Sequence, residues 1–242
     1  MNVIAALWIK SRLPFGSRER LRDSSEPSTG LRRGVVAQHW AYGRWAVGVG
    51  VLSGLMLNVY YIVMPTTHGL ESTAILKALM NLMMPAWQTS MALSTATVPW
   101  LVRVRGTREF GTVLRRLLCL CFVGGLCYWL ALGLAHEQVI RLLYGGRYAQ
   151  ESRLLWLVGL VPIGTGTIGV LETALRSLER TRQVFQAYVL SSVSTCVIGL
   201  PLMFIWGPGG AVVGFLLSLA FGIGSMAWSL QGAQARPQEQ VA

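Results

Sequence analysis

Leu117-Leu-Cys-Leu-Cys-Phe-Val-Gly-Gly-Leu-Cys-Tyr-Trp-Leu-Ala-Leu-Gly-Leu-Ala135 runs for nineteen residues without a charge. At about 1.5 Å per helical residue this covers roughly 28 Å, close to the hydrocarbon thickness of a bilayer. A helix on the surface of a soluble core shows a polar face every turn or two, and this stretch has none. Five further stretches read the same way, at 45–64, 74–100, 154–175, 185–206 and 211–230. The chain is 53% hydrophobic and 13% charged, against roughly a quarter charged in soluble domains. The expected fold is therefore an all-α integral membrane protein with about six transmembrane helices.

The charges cluster between the spans, and their sign bears on orientation. Seventeen of the 21 Lys and Arg residues fall on one side: the N-terminal region to Arg44, the loop after the second span, the loop after the fourth, and the tail. Arg141, Arg147 and Arg153 fall on the other side, and Lys77 lies inside a span. The positive-inside rule then puts both termini in the cytoplasm of a multi-pass protein. The formal net charge of +11 is that of loops held near anionic lipid, which argues against nucleic acid as a partner. Three regions are expected. Residues 1–41 are a short apolar N-terminus (Val3–Ile9) with a basic, mobile cytoplasmic linker from Lys10 to Gln38. Residues 42–230 are the membrane region, and 231–242 a cytoplasmic tail. In the outer connection 136–153, alternating apolar residues followed by Gly145-Gly146 predict a short interfacial helix ended by a glycine turn.

Polar residues inside a span face protein or water rather than lipid. In the second span Lys77, Asn81, Gln88 and Thr95 follow one another at 4, 7 and 7 residues, which at about 100° per residue makes one stripe. That stripe suits the wall of a hydrated groove. The same groups also serve as hydrogen-bonding glue between helices, with Lys77 reaching to the interface. Pro85 should kink the span. Arg44 stands at the mouth of the first span and Asn58 inside it, and Gly50-Val-Leu-Ser-Gly54 reads as a helix-packing element. Pro162-Ile-Gly-Thr-Gly-Thr-Ile-Gly169 is either a broken helix exposing backbone to a solute or a close-packing surface. Glu172 and Arg176, at i and i+4, should pair, and Glu172 is a weak candidate for a coupling-ion ligand.

Nothing points to catalysis. The three histidines are dispersed. The cysteines show no metal spacing, and a phosphate-binding loop is lacking. The chain therefore reads as a non-enzyme without metal or cofactor.

Several segments resemble one family. They are Tyr42-Gly-Arg-Trp-Ala-Val-Gly48 through Asn58-Val-Tyr-Tyr61, and Leu76-Lys-Ala-Leu-Met-Asn-Leu-Met-Met-Pro85 with Ala92-Leu-Ser94 and Pro99. Leu143-Tyr-Gly-Gly-Arg-Tyr148 and Trp206-Gly-Pro-Gly-Gly-Ala211 complete the set. Together they resemble the C-terminal half of bacterial oligosaccharide and polysaccharide flippases, of the superfamily that also holds multidrug exporters, and the likeness covers roughly 42–230. It implies a bacterial inner-membrane protein that moves lipid-linked oligosaccharide between leaflets by alternating access. Family members have two six-helix lobes, whereas this chain has one lobe's worth. The resemblance thus implies a half-length transporter needing a second lobe or a homo-oligomer, with Lys77 and Arg44 meeting the substrate's pyrophosphate and sugar. Alternatives are half of a cation-coupled multidrug-type exporter, a non-transporting membrane remnant, and a glycan polymerase or ligase. The last is disfavoured by outer loops of at most about eighteen residues.

Overall fold

The structure, a computed structural model, describes residues 29–107, 109–146 and 148–234. The apolar segment Val3–Ile9, the linker before Thr29, Arg108, Arg147 and the tail from 235 lie outside the described residues. The chain divides into two units at Arg44–Trp45. In the first, residues 29–44 are helical. This corrects the expectation of an irregular linker as far as Gln38: nothing in 29–38 other than two glycines opposes a helix, and the chain is proline-free from Ser28 to Met64.

Described residues form helices and turns only: α1 (Thr29–Asn81), α2 (Met84–Arg103), α3 (Glu109–Leu134), α4 (His136–Tyr144), a 3₁₀ turn (Ala149–Leu154), α5 (Leu155–Val158), α6 (Val161–Ser177), α7 (Thr181–Ser194), a π turn (Thr195–Gly199) and α8 (Leu200–Gln234). Four stretches are long and apolar enough to cross a membrane: Gly43–Asn81, Glu109–Leu134, Glu151–Ser177 and Thr181–Gly232. That is the character of a membrane protein. Two of the four do not run straight.

α1 reverses at Gly69, whose backbone (φ 80°, ψ 175°) is reached almost only by glycine. The Lys77 Nζ consequently sits 4.9 Å from the centre of the Tyr61 ring. Sixteen residues of straight helix would hold the two about 24 Å apart. α8 reverses in the same way at Gly207 (φ 56°, ψ −133°), with Pro208 opening the returning arm. Gly214 comes back against Gly199, backbone to backbone, where no side chain fits. The two reversals share one end of the bundle. A Cβ at Gly207 would lie 3.3 Å from the His68 ring, and one at Gly209 would lie 3.4 Å from Leu154 in the 3₁₀ turn.

At the opposite end Arg105 donates to Glu179 at 2.7 Å, joining the turn after α2 to the turn after α6. This pair is 42% and 76% exposed and contributes little. Glu179→Ala should lower stability by no more than about 1 kcal/mol in a detergent melting experiment.

α6 is the central helix, packing on α2, α3 and α8. Pro162 lies in its first turn, where a missing N–H is harmless, and the helix is unbroken from Val161 to Ser177. Its glycines admit neighbours: a Cβ on Gly164 would meet Leu219 at 2.9 Å, and one on Gly169 would meet Ser94 at 3.1 Å. The Pro162–Gly169 segment is thus unbroken and close-packed, while Thr165, Ile168 and Gly169 also border a cavity. The Gly50–Gly54 element is the reverse case and corrects the packing expectation. Neither glycine has any group within 4 Å of a built Cβ, and Gly50 opens onto a cavity. The first arm instead packs through Gly48 on Phe185 and through Tyr60 at the Gly199–Gly214 contact. α4 ends at Gly145 in the left-handed region (φ 60°), as the glycine turn requires.

Candidate functional site

A cavity of about 480 Å³ lies between the two arms of α1, α2, α6, α7 and α8. Two local features shape it. Pro85 has no N–H to give Asn81, and the chain passes through turns at Leu82 and Met83 before α2 starts at Met84. These residues bond three back, Leu82 to Leu79 at 3.2 Å and Met83 to Met80 at 3.0 Å. The Tyr128 hydroxyl donates to the Leu82 carbonyl at this break, and the Tyr144 hydroxyl donates to the Ala78 carbonyl at 2.9 Å. The second feature is the reversal at Gly69, which lays Asn58 and Tyr61 opposite Lys77 and Asn81 across the space.

Lys77, Asn81, Asn58 and Glu172 line the cavity. Gln88 and Thr95 do not; their places on α2 are taken by Met84, Trp87 and Met91. The physical reason is the break. A tightened turn advances about 20° more per residue than an α-turn, and Pro85 bends the axis, so the phase of the stripe is not carried past Asn81. Thr95 donates to its own helix, to the Met91 carbonyl at 2.9 Å. Arg44 belongs to the first unit and is exposed.

The two ends of the cavity carry charge. Near the Gly69 end the Lys77 ammonium lies over Tyr61, a cation–π contact that holds it without neutralising it. Near the other end Glu172 pairs with Arg176 and accepts from the Tyr188 hydroxyl at 2.9 Å. Counting residues from Gly69 puts Lys77 about 12 Å into the bundle, and counting from Leu154 puts Glu172 about 27 Å in from the same end. The charged groups are thus separated by roughly 15 Å in depth. Between them the wall is apolar and soft. Met56, Met80, Met83, Met84 and Met91, five of the chain's nine methionines, contribute to it, and the thioether chain adapts its shape to what it touches.

Asn58 donates to the Gly54 carbonyl at 2.8 Å, leaving its amide oxygen to accept from a ligand. Glu172 is fully committed. Glu172→Gln should lower stability by about 1–2 kcal/mol, because Arg176 loses its counter-charge and Tyr188 its strongest acceptor; a detergent melting curve measures it, and Tyr188→Phe should shift it less. Sequence reasoning missed the methionine wall, although Met80, Met84, Trp87 and Met91 stand at helical spacing. It also missed Tyr188, sixteen residues from Glu172, for which no local signal exists.

No known protein family, curated protein or solved structure matches the chain. Among the described residues there is no grouping of His, Cys, Asp and Glu suited to a metal ion.

Proposed function

We propose that this chain is one lobe of a membrane transporter that moves an anionic amphipathic solute, a lipid-linked oligosaccharide or polysaccharide precursor, across a bacterial inner membrane by alternating access. With the reversals at Gly69 and Gly207 the helices make six passes. The first is 45–68, and the second is residues 70–81 continued by α2. The third is α3, the fourth runs from the 3₁₀ turn through α6, and the last two are 181–206 and 208–232. The loops carrying most of the arginines then share the cytoplasmic face with both termini.

One observation carries the reading: a cavity inside an apolar bundle, with an ammonium held over a tyrosine ring at one depth, a hydrogen-bonding amide across from it, and a methionine wall beyond. A phosphate or pyrophosphate group is suited to the point charge of a lysine. The acyl chain of a lipid carrier is suited to the adaptable wall. The likeness to flippase C-terminal halves points the same way.

The test is translocation of lipid-linked sugar in a strain lacking its own flippase, with this chain expressed alone and alongside a separate six-helix lobe. Restoration in either arrangement, lost with Lys77→Glu, is the expected result. Restoration in neither, or restoration indifferent to Lys77, would overturn the proposal. A cation-coupled exporter is the second reading, favoured by Glu172 in the cavity wall. It is weaker because that carboxylate already holds Arg176 and Tyr188, both of which an incoming cation would have to displace.

A further inference from the structure

A further cavity, of about 470 Å³, lies between the last turn of α2 and the first turns of α3. It is at the end of the bundle opposite the two reversals. Trp100 of α2 forms one wall, and Glu109, Thr112, Val113 and Arg116 of α3 form the other. Positions 3, 4 and 7 after Glu109 share one face of an unbroken helix. Val113 is buried and makes the floor, while the other four side chains are exposed.

The depth of this groove follows from the sequence. The charge-free run of α3 starts at Leu117, so in the membrane reading Arg116 stands at the edge of the hydrocarbon. Glu109, seven residues earlier, lies about 10 Å farther toward water. That layer is where lipid headgroups sit and where an indole, apolar with one N–H, is best placed. Neither Glu109 nor Arg116 has an ion-pair partner among the described residues. They do not reach each other, although long helical side chains lean toward the N-terminus and so carry Arg116 toward Glu109. The Thr112 hydroxyl between them makes no hydrogen bond among the described residues. Those of Thr89, Thr95 and Thr107 are instead spent on backbone carbonyls three or four residues back.

We propose that the groove between α2 and α3 binds a zwitterionic, amine-bearing phospholipid, with its phosphate on Arg116 and Thr112 and its ammonium on Glu109. The order of charges selects this occupant. From the hydrocarbon outward the groove presents a guanidinium, a hydroxyl and a carboxylate. An ethanolamine headgroup runs in the matching order, phosphate beside the glycerol and primary ammonium at the outer end. The planar guanidinium takes a phosphate through paired N–H donors, and the carboxylate accepts from the ammonium. An anionic lipid ending in hydroxyls would bring no counter-charge to Glu109. Exposed Arg103 and Arg115, on the same turns, draw every anionic lipid alike through their field, so Glu109 is the group that discriminates. The inference rests on the membrane reading above and is independent of what the larger cavity carries.

The experiment uses the full chain purified in detergent and incubated with equal amounts of phosphatidylethanolamine and phosphatidylglycerol of identical acyl chains. Lipid retained through gel filtration is quantified by mass spectrometry. The parent should retain the amine-bearing lipid roughly fivefold over the other, about what one exposed ion pair supplies. Glu109→Gln should bring the two to parity. Arg116→Gln should lower the retention of both, and Arg115→Gln, one residue away and off the groove, should leave the ratio unchanged. The three side chains are exposed, so each variant should elute like the parent. Parity in the parent would overturn the proposal. So would a preference that survives Glu109→Gln, or retention in Arg116→Gln no lower than in Arg115→Gln. None of these readouts needs a transported solute. Selective retention by a chain that moves no lipid-linked sugar would count against the proposed function alone, and parity in a chain that moves it would overturn the lipid site alone.

Discussion

Gly214→Leu should leave almost none of the chain recoverable as a folded, monodisperse species in detergent, whereas Gly224→Leu should behave like the parent. Both glycines sit on the returning arm of α8 and differ only in surroundings. Gly214 lies backbone to backbone with Gly199, with the Tyr60 hydroxyl beside it, while a Cβ on Gly224 would meet nothing within 4 Å. A leucine at 214 has no free direction, since both obstacles are main chain or buried ring. Overpacking of this kind costs about 3 kcal/mol or more, a large share of the net stability of a small domain. The contact exists only because α8 doubles back at Gly207, so size-exclusion profiles of the two variants test the reversal itself. Equal recovery of both would mean the arms do not meet.

Lys77→Glu should abolish translocation in whichever arrangement of lobes restores it, and Lys77→Ala should reduce it by roughly thirtyfold or more, the loss expected when one partner of a desolvated charge pair is removed. Lys77→Arg should retain part of the activity, because the charge survives while its shape changes. Lys77 is exposed to the cavity and supports no buried contact besides the face of Tyr61, so these variants should fold normally. Membrane levels of each variant serve as the control. Loss of activity at unchanged levels is the expected result, and full activity in Lys77→Glu would remove the anionic solute from the account.

The positions of the helices were legible because a membrane span is a statement about composition over twenty residues, which any single chain displays. The reversals were legible too, since Thr66–Thr73 and Gly207–Gly210 are short, glycine-containing and free of lysine and arginine. What was not legible was rotation. The stripe from Lys77 to Thr95 is regular in sequence, yet Pro85 interrupts the helix inside it, and Gln88 and Thr95 beyond the break do not share the cavity face of Lys77 and Asn81. Sequence spacing reports a face only while the helix is unbroken. Gly50 and Gly54 failed for a related reason. Two glycines four apart permit close approach but do not supply a neighbour, and the neighbour sits instead at Gly48. The Glu172–Arg176 pair, being local, could be read directly, while Tyr188 completes it from another helix.

The proposed function requires the chain to cross the bilayer six times around a water-reachable cavity. Impermeant maleimide labelling of single cysteines in sealed, oriented vesicles measures this most directly. Thr67→Cys, Glu137→Cys and Gly209→Cys should label from one side, and Thr107→Cys, Glu179→Cys and Gly232→Cys from the other. Lys77→Cys and Asn81→Cys should label through the cavity while Leu79→Cys stays protected. Gly232→Cys labelling opposite Glu179→Cys, or complete protection of positions 77 and 81, would contradict it.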